Sequence, residues 1–140
     1  MARQATLLVA DEIYFNLQGK AILQGIYNGD LVIPSAGSAA PQLLFYFLME
    51  TDLIDPFKSL TVEVALPDNP PILNQVVVTY PIPDSHKGRT RLFYRHPMLV
   101  QSPILQPGRI AAKVIHESGE IILGAPWVVL NPAAIPQKTN

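Results

Sequence analysis

The chain has 140 residues, 49% of them apolar and 15% charged, with a formal net charge of −1 and no cysteine. That size suits one domain with one core, and so high an apolar fraction with so little charge excludes an intrinsically disordered chain. The missing thiols exclude a disulfide scaffold, thiolate zinc sites, iron–sulfur clusters and a cysteine nucleophile.

From Met1 to Phe15 a single arginine, Arg3, precedes a short apolar run that meets Asp11 and Glu12, with no small-residue cleavage site. No secretory leader is expected. ATLLVADEIYF reads as extended chain, followed by a loop at Asn16 to Lys20 and a second apolar run, AILQGIY. Asn28-Gly29 then stands before DLVIPS, and Asn-Gly between apolar runs is a strong hairpin signal because a type I′ turn needs positive φ at both central residues. Next, Leu43 to Met49 is an unbroken apolar run of seven, far short of the ~20 residues of a spanning helix. It reads instead as a strand buried on both faces, which requires cover from a second layer, a long loop or another subunit.

Leu60, Val62, Val64 and Leu66 alternate with Thr61, Glu63 and Ala65, the period of a half-buried strand. ILNQVVVTY resumes after the Pro-Asp-Asn-Pro-Pro break, and TRLFYRH leads into further extended chain to Leu105. RIAAKVIH and EIILGAPWVVL form a last hairpin pair through Glu117-Ser118-Gly119. Trp127, before Val128, Val129 and Leu130, is expected to close one end of the core. With 14 prolines spread through the chain, long helices are hard to place. The expectation is an all-β fold: a single antiparallel β-sandwich, Ig-like or related, of roughly six to nine short strands over residues 1–130, with a loose tail at 131–140.

LLVADEI, a short loop, GKAILQGIY and LVIP together resemble the opening of a family of small uncharacterised bacterial proteins with the pattern LLxxD…GKxxLxGIY. SLTVEVALPD and GRIAAKVIHESGEIILG are similar in layout to the rest of that family. Ala10 stands where that family often has Cys before the Asp, which argues against a shared thiol chemistry. The resemblance implies a single bacterial β domain and carries no activity with it.

Little in the chain suggests catalysis. Asp11 and Glu12 are adjacent, so on a strand they face opposite ways and cannot flank one substrate. His86, His96 and His116 show no metal-ligand spacing, Ser118 lacks an acid placed to orient His116, and no glycine-rich phosphate loop is present. No catalytic residue, cofactor or metal is assigned.

The charge distribution is more informative. Residues 1–84 carry three bases against nine acids, whereas residues 85–116 carry Lys87, Arg89, Arg91, Arg95, Arg109 and Lys113 with no acid. Alternation over Thr90 to Arg95 turns Leu92 and Tyr94 inward and Arg91, Phe93 and Arg95 outward, with Arg89 continuing the row. Like charges about 6–7 Å apart need anions between them, and three sources compete: carboxylates of the same chain, a partner protein, or phosphates.

The leading reading is a non-enzymatic, cytoplasmic binding or structural module. It self-associates or docks a protein partner, with Lys87, Arg89, Arg91 and Arg95 as the candidate partner- or anion-binding residues. Anion or single-stranded nucleic-acid binding by the basic and aromatic segment 86–96 is the alternative, opposed by a sequence pI near 6.3. A small-ligand receptor or enzyme, with His96 or His116 and a carboxylate converging in the mouth of the sandwich, is the weaker one.

Overall fold

The computed structural model describes residues 3–78, 88 and 90–132. Among them are fourteen strands and no α-helix, so no helix is long and apolar enough to cross a membrane. The fold is all-β. Strand β6 (Gln42–Asp52) runs antiparallel between β1 (Gln4–Ala10) and β9 (Arg91–Gln101). Because β6 is apolar at successive positions, alternation sends Leu43, Phe45, Phe47 and Met49 to one face and Leu44, Tyr46 and Leu48 to the other, and all but Leu48 are buried. The double burial expected of this run is present.

A four-stranded sheet, β13 (Gly119–Leu123), β12 (Ala111–His116), β7 (Leu60–Ala65) and β8 (Ile72–Gln75), faces inward with Leu60, Val62, Val64, Ala112 and Val114. These residues and the inner row of β6 belong to one buried cluster that also takes in Phe57, Met98, Ile110 and Val128. Area removed from water on this scale is the main driving force for folding. The β12–β13 hairpin closes where expected, with His116 opposite Gly119.

Three smaller sheets complete the structure: β2 (Glu12–Phe15) with β3 (Ala21–Gln24), β5 (Ser38–Ala39) with β10 (Ile104–Leu105), and β11 (Gly108–Arg109), β14 (Trp127–Leu130) and β4 (Leu31–Ile33). Strands therefore outnumber the expected six to nine, since several have only two to four residues and leave little local periodicity to read.

Two local expectations are overturned. Asn28-Gly29 is not a type I′ turn: neither residue has positive φ, and β4 pairs in parallel with β14 instead of returning along β3. The reason lies upstream, where the Tyr27 N–H donates to the Val9 carbonyl at 2.8 Å, prolonging the β3 side along β1 before the chain leaves for β14. Trp127 is not a core residue. It is 52% exposed, because β14 buries Val128 and period two turns its neighbour outward. Of the expected tail, residues 133–140 lie outside the described residues.

Candidate docking face

The outer face of the β1–β6–β9 sheet has two halves that differ in cover. Register places Leu8 and Ala10 of β1 beside Tyr46 and Leu44 of β6, with Pro97 and Leu99 of β9 on the other side. Ile13 and Leu23, from the β2–β3 hairpin, pack onto Ala10, Leu44 and Tyr46. The chain itself thus covers this half.

The hairpin is held there by a bend at Asp11. Its N–H donates to the Gln24 carbonyl at 3.1 Å, its carbonyl accepts from Gln42 Nε2 at 3.0 Å, and its Oδ1 accepts from the Tyr27 hydroxyl at 2.8 Å. Gly25 sits opposite with φ +71°, where a Cβ would collide with the Asp11 carboxylate. Only glycine combines that conformation with that approach. Partial burial, together with the Asp11 carboxylate, pushes the Tyr27 phenol up to about 12. At the far end, Asn16 Oδ1 accepts the N–H groups of Gln18 and Lys20 at 2.9 Å each, which fixes the loop expected from the sequence. Asp11, Gly25 and Tyr27 therefore form a structural joint.

The other half of the face is open. Gln4 and Thr6 of β1, Leu48 and Glu50 of β6, and Phe93 and Arg95 of β9 line a shallow groove of about 210 Å³. Phe93 is 57% exposed, and the Arg95 guanidinium lies 5.3 Å from its ring centroid, within cation–π range. Both side chains are exposed, and Arg95 Nη1 also donates to the Tyr94 carbonyl at 3.4 Å. Arg91, four residues earlier on the same face, is opposite Asp52. It reaches Asp52 at 2.7 Å and Glu50 at 3.6 Å, and its side chain is only 11% exposed. The hydrogen bond to Asp52 and the charge of Glu50 hold the guanidinium above its ordinary range, against the opposing effect of burial.

The other candidates from the sequence divide in the same way. Lys87, Arg89 and His86 lie outside the described residues. Lys113 bridges Glu120 at 3.2 Å and Glu63 at 3.4 Å, and those two carboxylates raise its pKa. Neither Arg95 nor Arg109 forms an ion pair with a described residue. The histidines face different partners. His96 Nε2 meets Asn74 Oδ1 at 3.2 Å, with burial lowering its pKa, while His116 Nδ1 accepts from Arg3 Nη1 and the Ser118 N–H. Among the described residues no group of three His, Asp or Glu side chains is placed to hold a metal ion.

Sequence reasoning did not find Gln4, Thr6, Leu48 and Glu50, which complete the groove. They come from strands far away in sequence and meet Phe93 and Arg95 only through the β6–β9 and β1–β6 registers. No family model, curated protein or solved structure matches the chain.

Proposed function

We propose that the chain is a non-enzymatic, cytoplasmic binding module that docks a protein on the open half of this face. The observation that carries the reading is the contrast between two arginines of one row: Arg91 is neutralised within the fold, whereas Arg95 lies over an exposed aromatic ring beside an apolar floor at Leu48. Aromatic and arginine side chains standing together are the anchors that protein interfaces use most. Nucleic acid is the weaker occupant. Glu50 and Asp52 share the face and hold Arg91, which leaves Arg95 as the cation that the described residues of this face offer to phosphates, where a strand-tracking surface needs unbroken positive charge.

A photo-crosslinking residue at Phe93, compared in cells with the same residue at the exposed Leu73 of β8, tests the reading. Discrete protein adducts from position 93 alone are expected; equal labelling from both positions would contradict it. Anisotropy with a labelled random single strand provides the second arm. Tight binding that falls steeply with salt and is lost in Arg95→Ala would replace the protein reading with the nucleic-acid one.

A further inference from the structure

The β2–β3 hairpin is an arm whose base and end differ. At the base Ile13 and Leu23 pack onto the β1–β6–β9 sheet, whereas every residue from Tyr14 to Ile22 is exposed. Neither face of the end is therefore buried against a described residue. Yet this end carries large apolar side chains: Tyr14 and Ile22 are each 51% exposed, Phe15 is 61% exposed, and Leu17 is fully exposed. Tyr14 lies opposite Ile22 and Phe15 opposite Ala21. Alternation thus puts Tyr14 and Ile22 on one face and Phe15 on the other, with Leu17 in the turn that joins the strands.

We propose that the end of the arm is a lipid-binding site that inserts into the interface of a bilayer. Apolar side chains on both faces and in the turn suit a medium that surrounds the tip, since a protein laid against one face would leave the other in water. The turn also needs little water for its backbone. From Asn16 to Lys20 each N–H except that of Leu17 is bonded within the turn: Asn16 N–H donates to the Lys20 carbonyl and Gly19 N–H to the Asn16 carbonyl, at 3.0 Å each, and Asn16 Oδ1 accepts from Gln18 and Lys20. Internal closure of backbone donors is what contact with hydrocarbon demands. Polarity is ordered along the arm as well. The Tyr14 hydroxyl donates to the Glu12 carboxylate, two residues back toward the base on the same face, so the polar end of the ring points away from the tip, as in an interfacial aromatic. From Tyr14 to Leu17 is about 10 Å of extended chain, and interfacial segments bury their apolar side to about 5–10 Å. Lys20 has a stem long enough to bring its ammonium from the tip to the lipid phosphates.

This site is separate from the groove beside Phe93 and does not depend on it. The test uses the full chain and vesicles of phosphatidylcholine with phosphatidylglycerol. Because the chain has no cysteine, Leu17→Cys and, on the exposed side of β8, Leu73→Cys each accept one environment-sensitive fluorophore. Vesicles should raise and blue-shift the emission from position 17, brominated lipid chains should quench it, and position 73 should not respond. In co-sedimentation, Phe15→Ser with Leu17→Ser should weaken vesicle binding roughly tenfold or more. Its thermal melt should match the wild type, since both side chains are exposed. Added salt should weaken wild-type binding much less than that double substitution, because one lysine contributes little. A wild type that does not bind vesicles, equal responses from positions 17 and 73, or a serine variant that binds as the wild type does would overturn the proposal. Crosslinks from position 17 to another protein, with no vesicle binding, would overturn it in favour of a protein partner at the tip.

Discussion

The two halves of the outer face of the β1–β6–β9 sheet share strands, pleat and alternation, yet one is part of the core and the other is left to solvent. Under the arm, Leu44 and Tyr46 are buried and meet Ile13 and Leu23. Further along the same strands, the face turns polar at Glu50 and Asp52 and carries two arginines with opposite fates. Arg91 falls opposite Asp52, and Arg95 falls opposite Leu48. Register across the sheet, more than residue type, decides which charge belongs to the fold and which remains for a partner.

The comparison can be broken first at its covered end. Leu44→Ala should cost about 3 kcal/mol in chemical denaturation, as truncation of a fully buried leucine does, whereas Phe93→Ala should stay within about 0.5 kcal/mol, as for a surface position. Equal losses would mean that the two halves are packed alike. At the joint, Gly25→Ala forces an L residue into a left-handed conformation against Asp11 and should cost about 2 kcal/mol. A stability unchanged by this substitution would show that the bend does not depend on that contact.

Tyr27→Phe removes only the hydroxyl and should cost about 1 kcal/mol. The same bond sets an alkaline dependence. Tyr27 ionises near 10 when unfolded and about 12 when folded, so the unfolded chain loses this proton first as pH rises. The stabilisation is full below pH 10, declines between 10 and 12, and should be absent from that window in Tyr27→Phe. The smallest effect separates the arginines. Arg91→Ala should lower the melting temperature by a degree or two because Asp52 and Glu50 lose their shared cation, and Arg95→Ala should leave it unchanged. A larger loss from Arg95 would reverse the assignment of structural and available charge.

What the sequence made legible follows from short range. The alternation of Leu60, Val62 and Val64 gave β7, the unbroken run from Leu43 gave a strand buried on both faces, and the loop at Asn16 to Lys20 gave the arm. The inward and outward sides of Arg91 to Arg95 were also legible, since Tyr94 packs on the core and Phe93 does not. What stayed hidden depended on distant pairing. Asn28-Gly29 has hairpin chemistry, but the bond from Tyr27 to Val9 and the parallel pairing of β4 with β14 override it. Trp127 looked like core because its neighbours are apolar, and only the burial of Val128 shows which parity faces inward. The carboxylates that hold Arg91 are 39 and 41 positions away on β6, a relation that only the β6–β9 register supplies.

Hydroxyl-radical footprinting of the wild-type chain tests the central claim most directly, because it reads side-chain exposure on the covered and the open half in one experiment. If one half is covered by the chain and the other is open, Phe93 should be oxidised readily while Leu44 and Tyr46 are protected. Equal labelling of Tyr46 and Phe93 would contradict it.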